Sequence, residues 1–447
     1  LNENHVFNQV PPGWQPSAAA LTPGEVGVAY SQAQQAHWAQ PEGRAQPAQG
    51  MQSAQRTLHP RHGIHNPTTG TPRRAPGSLR RTSTIDMLRP DGLFGPLVLI
   101  GRARDLVTND DGSATVLGMS SCQARIDFTG GRLLTEISTD PDRPGLQELI
   151  GERVSSGFRA AVKAADPGLA TDDSLLYLLL DDFPVATLVS GHAIGAGMTG
   201  NGRAVLSLAE ATGQPLADVA RTADPAVTQG AAQSAAPRPG MPPGFAPSSA
   251  RPAFKRNLCA GFADGGTIMN DVDTTGRPPI VTGPEAPALT TDDELGWHET
   301  VPLPPLAMRR SRRMDVIPGP LASIDVLYRD SHVDDEGLET IVHEYTVSAA
   351  VDTSAGVLAW CAATPRVLPW VECPAAALSA GRLVGMPVAG LRRHVRDTFL
   401  GTSTCTHLND TLRSLEDIPA LLDLAGRTTS SEPAPDRTAP DSTKEKQ

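Results

Sequence analysis

Hydrophobic and polar positions alternate most clearly in the second half of the chain. In SIDVLYRD, Ile324, Val326 and Tyr328 alternate with polar residues, the period of a half-buried strand. VHEYTVSAAVD puts His343, Tyr345, Val347, Ala349 and Val351 on one face and Val342, Glu344, Thr346 and Ser348 on the other. GVLAWCA is a short apolar run ending before a Pro-rich turn. Helical spacing follows. Leu391 and Val395 continue a helix that Pro387 starts, at a position where a missing N–H loses nothing. Leu408, Leu412, Leu415 and Ile418 then give the 3–4 spacing of a second helix. Strands grouped before helices predict an α+β fold rather than alternating α/β.

The first half repeats this order. SLRRTSTIDMLRPDG, with Arg80, Arg81 and Asp86, matches AMRRSRRMDVIPGP, with Arg309, Arg310 and Asp315. Further matches place Arg104–Asp105 on Arg329–Asp330, Asp127 on Asp352, Gly151 on Gly385, Leu175 on Leu408 and Pro184 on Pro419. Matches in one order with slowly drifting spacing indicate two divergent tandem copies. The expected arrangement is a pseudo-twofold pair with disordered tails. Its boundaries are 1–60 for a disordered tail, 61–224 for the first copy and 225–252 for a Pro/Ala-rich linker or long loop. A Cys/Gly segment belonging to the first copy follows at 253–290, then the second copy at 291–425 and a second disordered tail at 426–447. The first 60 residues hold ten Gln and no apolar period, and 225–252 holds seven Pro. Neither buries enough apolar surface to offset its ordering entropy.

Composition narrows the function. The 447 residues carry a net charge of −11, which argues against a basic nucleic-acid-binding face. No apolar run approaches the roughly 18–20 residues that span a bilayer, so no membrane partner is expected. The N-terminus lacks the basic and apolar regions of a secretory signal, and Leu1 marks a fragment or an unusual start. Five cysteines without framework spacing suit a reducing cytoplasm.

Cys405 and His407 are the leading candidates for chemistry. With Ser403 or Thr404 as the cap, Cys405 falls in the first turn of a helix, where free backbone N–H groups and the dipole favour a thiolate. A nearby His completes the pair that activates a nucleophilic cysteine. Residues two apart on a helix point about 200° apart, so Cys405 and His407 share a metal only if Cys405 sits at the cap. His343, on the apolar face of its strand, is a third catalytic candidate. Cys373 and Cys259 complete a four-ligand Cys/His metal set with Cys405 and His407, for zinc or iron. The Arg pairs Arg80–Arg81 and Arg309–Arg310 fit charged strand edges or partners for Asp105 and Asp330 better than an anion site. Asp181–Asp182 and Glu416–Asp417 fit a solvated helix end, and GFADGGT fits a hairpin-like turn.

Several of these residues also carry a family resemblance. Arg309–Arg310, His343, Cys373 in LPWVECP, Leu383-Val384-Gly385 and Cys405-Thr406-His407-Leu408 resemble the bacterial family catalogued as domain of unknown function 2889, over about residues 305–425. The resemblance implies positions and no reaction. Its members usually carry a Cys–Gly segment after the C-T-H-L helix; here Asn257-Leu258-Cys259-Ala260-Gly261 resembles it, after the first copy. The first copy shows Asp172-Asp173-Ser174 in place of Cys-Thr-His, and the second copy lacks the Cys–Gly segment; that complementary loss suggests one site shared by both copies. It would bind a metal or act on a small organic acid or ester. The alternative is a non-catalytic module that binds a small molecule or protein in the cleft between copies.

Overall fold

The computed structural model describes residues 63–128, 131–199, 256–275, 280–289 and 293–430. The expected disordered run 1–60, the linker 225–252 and residues 431–447 of the expected tail 426–447 lie outside these residues, whereas 426–430 continue the last helix. Two sets of four strands come first in their halves: β1 (Leu79–Leu88), β2 (Leu97–Thr108), β3 (Ala114–Asp127) and β4 (Leu133–Asp140), then β5 (Met308–Ile317), β6 (Leu321–Val333), β7 (Glu339–Asp352) and β8 (Val357–Val367). They form one antiparallel eight-stranded sheet in the order β4-β3-β2-β1-β5-β6-β7-β8. The fold is α+β, as the grouping of strands before helices predicts.

Helices follow each set. In the first half they are α1 (Phe158–Ala165), α2 (Leu169–Asp172), α3 (Ser174–Val189) and α4 (Gly191–Thr199). The separate stretch after residue 255 contributes α5 (Thr267–Thr275). The second half ends in α6 (Leu391–Thr398), α7 (Thr406–Ser414) and α8 (Ile418–Ser430). Pro387 does not start α6; it bridges to Val357, and Gly390 caps the helix at φ 87°, a left-handed conformation that glycine adopts without strain. The Leu408–Ile418 spacing holds, but Leu415–Asp417 tightens into a 3₁₀ turn before Pro419, which cannot donate a backbone hydrogen bond. GFADGGT is not a hairpin: Ala260–Phe262 make a 3₁₀ turn, and Thr267 opens α5 by donating its N–H and hydroxyl to Glu372 at 2.7 Å each.

The two sheet faces have different covers because side chains alternate along each strand. On β1, Leu79, Arg81, Ile85 and Met87 face the helices. The other face carries Arg80, Thr82, Thr84 and Asp86, against chain segments from 66–76 and 293–304. The central strands β1 and β5 are therefore not edges. Their antiparallel register sets Arg80 opposite Asp315 and Asp86 opposite Arg309, and both pairs form salt bridges, at 2.5 and 2.6 Å. Arg81 and Arg310 instead bind Asp105 and Asp330 across their hairpins, at 2.6 and 3.0 Å.

Helical face packing is apolar at both ends and ionic in the middle. Leu176, Leu179, Leu180 and Phe183 of α3 pack on β1–β3, while Leu408, Leu412, Leu415 and Ile418 pack in the core of the second half. Each such side chain, fully buried, contributes about 1.5–3 kcal/mol. The run Ser174–Gly197 is long and apolar enough to cross a membrane, contrary to the sequence expectation, yet 72% of its window is buried inside the fold. Asp181 and Asp182 mask it in the sequence.

Those two carboxylates are not at a solvated helix end. Both are buried inside α3, about 100° apart on the helix, and so reach different partners. Asp181 binds Arg159 at 2.8 Å and Arg413 at 3.1 Å; Asp182 binds Arg312 at 2.8 Å. Burial raises the Asp181 carboxyl, but Arg413, Arg159 and Arg392 outweigh it and hold the group below the usual range. Burial dominates at Asp182 and raises it. Asp417 is likewise buried, with Arg392 at 2.8 Å and Arg81 at 3.1 Å. This ionic layer ties helices of one half to strands of the other.

Candidate functional site

The site forms where β6, β7 and the start of α7 meet. Antiparallel pairing places Asp330 opposite His343 and Tyr328 opposite Tyr345, with a bulge immediately after Asp330. Arg310 grips both Asp330 oxygens, at 3.0 and 3.1 Å, and Tyr328 donates its hydroxyl to Asp330 Oδ2 at 2.6 Å. Arg310 also binds Asp410 at 2.9 Å. Asp410 lies three residues after His407, on the same side of α7, so one guanidinium fixes the helix carrying His407 over the strand carrying Asp330.

Cys405 is itself the cap of α7, with extended backbone (φ −132°, ψ 130°), rather than a first-turn residue. That placement lets Cys405 and His407 meet: Sγ lies 3.7 Å from His407 Nδ1. His407 Nε2 lies 3.7 Å from Asp330 Oδ2, beyond direct hydrogen-bond length. The His343 ring stacks on His407 with centroids 3.6 Å apart and planes at 20°. Ligand atoms of Asp330, His343 and His407 all lie within 4.8 Å of one another, with Asp330 buried and both histidines half-buried. Burial pushes the His407 imidazolium down despite neighbouring Asp330, so the ring is neutral near pH 7.

The other sequence candidates lie on the far side of Cys405. Ala260 donates its N–H to the Thr404 carbonyl at 2.9 Å, which sets Cys259 beside Cys405. A Cβ on Gly261 would stand 3.0 Å from Cys373 Sγ, so only glycine fits without displacing that thiol. All three thiols surround the buried Tyr345 hydroxyl, which is pushed well above its ordinary value by burial and then by these thiols. Burial likewise raises Cys405 to about 11, with the Tyr345 hydroxyl and the N–H groups of Leu408 and His407 opposing it. Cys373 is raised further by burial and by the neighbouring Cys405 and Cys259 thiols. Burial thus works against a thiolate at Cys405, opposite to what a helix start favours.

Structure thus brings Cys405, His407 and His343 together and sets Cys373 and Cys259 in an adjoining thiol pocket. Among the described residues, the set close enough to hold an ion is Asp330, His343 and His407, without the cysteines. Sequence reasoning missed Asp330 as a site residue and treated it as an arginine partner, which it also is. Its available signal was the strand alternation: the phase placing Tyr328 inward also places Asp330 inward, beside His343.

An antiparallel α+β domain with an Asp/His/His cluster beside buried thiols is the class these features define. Residues 308–420 match the family model described as Protein of unknown function (DUF2889), which spans β5 to the start of α8 and includes Asp330, His343, Cys373, Cys405 and His407. The second half thus carries a domain of that family. No curated protein and no solved structure matches the chain.

Proposed function

We propose that the chain binds a divalent transition metal of the zinc or iron type through His407, His343 and Asp330, with the Cys405 thiol alongside. The observation carrying this reading is the convergence of those three side chains within 4.8 Å. Neutral imidazole is the metal-ligating form, and Asp330 is the kind of carboxylate that completes a two-histidine, one-carboxylate set. Arg310 and Tyr328 already orient Asp330, as outer partners orient metal ligands elsewhere. The parallel rings identify the movement binding requires. At a 20° interplanar angle their lone pairs do not meet at coordination distance, so His343 must turn to bring a ring nitrogen onto the ion. With an open position left, the metal would serve a small organic acid or ester as substrate.

We further infer that the halves are divergent copies paired across β1 and β5. Supporting this are the reciprocal Arg80–Asp315 and Arg309–Asp86 bridges and the matching Arg81–Asp105 and Arg310–Asp330 pairs. Cys259, from the stretch after the first half, packs beside Cys405 of the second, which favours one shared site.

Untagged wild type is expected to retain about one equivalent of zinc or iron by elemental mass spectrometry, as a resident three-ligand site does. The His407→Ala and His343→Ala variants should each lose it while keeping wild-type circular dichroism. Metal-free wild type after reconstitution would overturn this reading. It would favour a second one, supported by the Cys405–His407–Asp330 line: an imidazole-assisted thiol acting on a carbonyl. On that reading His407→Ala slows Cys405 alkylation at pH 7 by at least tenfold; an unchanged rate removes it.

A further inference from the structure

Arg104 on β2 and Arg329 on β6 occupy comparable places, each one residue before the aspartate that binds a helix-face arginine. Both are buried and point to the opposite face of the sheet. Arg329 is fully compensated. Its Nε binds Glu344, its cross-strand neighbour, at 2.5 Å, while NH1 and NH2 donate to the Pro287 and Thr68 carbonyls at 2.6 and 2.8 Å.

Arg104 lacks that carboxylate. Its cross-strand neighbour is Met119, which is 65% exposed. NH2 donates to the Leu295 carbonyl at 2.6 Å, but the buried Nε has no hydrogen-bond partner. This is the atom that holds Glu344 in Arg329. The neighbouring charges compensate only in part: Arg74 and Arg80 stand close to Arg104 and oppose its charge, while Asp293 favours it but is already bound by Arg74, and Asp315 is bound by Arg80 and Arg313. A buried guanidinium with no carboxylate bound to it directly is costly. Burial, then Arg74 and Arg80, accordingly push the Arg104 guanidinium down.

We propose that Arg104 binds the carboxylate of a small molecule, which approaches across Met119 and takes the place that Glu344 fills beside Arg329. Geometry favours a carboxylate because the sister arginine is satisfied by one, at the same guanidinium atom. The site lies on the opposite sheet face from the Asp330–His407 cluster and does not depend on that reading.

The test measures melting of the full chain in sodium acetate, sodium phosphate and sodium chloride at matched ionic strength. Acetate should raise the wild-type midpoint by about 2–4 °C over chloride, the size of shift that modest occupancy of a native-state site produces. Arg104→Gln should abolish that shift. Met119→Glu supplies the missing carboxylate internally; it should melt above wild type in chloride and no longer respond to acetate. An acetate shift that persists in Arg104→Gln, a wild type indifferent to acetate, or a response to phosphate alone would each overturn the proposal. If Arg104→Gln fails to fold, Met119→Glu still decides: an undiminished acetate response in that variant rejects the site.

Discussion

Arg310→Met is expected to destabilise the protein by about 3–5 kcal/mol, the cost of removing one partner from a buried ion pair. Arg310 is fully buried and holds Asp330 and Asp410, two carboxylates with essentially no solvent contact. Losing it strands Asp330, whose remaining anchor is the Tyr328 hydroxyl, whereas Asp410 keeps Arg413 at 2.7 Å. The double change Arg310→Met/Asp330→Asn should therefore recover most of the loss, because it removes the stranded charge along with its partner. Urea unfolding of the two variants and of Asp330→Asn alone measures this coupling. A single-variant loss below about 1 kcal/mol, the range of exposed pairs, would mean that water reaches the ionic layer in solution.

Acid should weaken the fold well above the pH at which carboxylates protonate. His298 sits between the Thr82 and Thr84 hydroxyls, at 2.9 and 2.8 Å, and burial lowers its imidazolium to about 3, with Arg104, Arg309 and Arg102 adding to the effect. Unfolded, the ring titrates near 6.5. Above that pH both states hold it neutral and its contribution is complete. As pH falls below 6.5 the unfolded chain takes up a proton that the folded chain refuses, so stability drops until pH reaches the folded value near 3. The slope is about 1.4 kcal/mol per pH unit per histidine, or about 3 kcal/mol by pH 4. His192, pushed to about 3 by burial and neighbouring His332, adds a contribution of the same sign. Denaturant melts between pH 7.5 and 4.5 cover this window: Asp181 and Asp410 are held low and respond at lower pH, Asp182, raised by burial, opposes the trend as pH falls, and comparison with a His298 variant separates the histidine's share. His298→Asn keeps hydrogen-bonding atoms without titrating there and should flatten the slope by about one proton. An unchanged slope would show that His298 is not the acid-sensitive group.

How much of this was legible depends on what each residue does. Alternation gave β6 and β7 their phase, so His343 and Tyr345 were correctly expected on one face with Val347 and Val351. Asp105 and Asp330 were expected partners of the arginine pairs, and the sheet makes them so. Cys405 was misplaced by one position because Ser403 and Thr404 are better cap formers; Thr404 instead donates its hydroxyl to the Phe399 and Gly401 carbonyls. Asp181 and Asp182 resembled a polar boundary because local sequence shows charge but not the arginines that bury it, of which Arg312 and Arg413 arrive from more than 100 residues away. The segments over the second sheet face have no period to detect. They serve Arg80, Arg104 and Arg329 through backbone carbonyls of Pro72, Gly296, Leu295, Thr68 and Pro287, which any residue type supplies.

The β1–β5 pairing has a consequence for assembly. Each strand carries arginine toward its beginning and aspartate toward its end, so an antiparallel partner of the same polarity satisfies both charges at once. That is the geometry of an isologous contact, in which one patch serves both sides. A polypeptide with only one such four-stranded half would leave this strand's hydrogen-bonding groups unpaired, and a second identical subunit would be a fitting complement. On the proposed reading that the halves are divergent copies, their covalent linkage turns an association that depends on concentration into an intramolecular one, and leaves each half free to specialise.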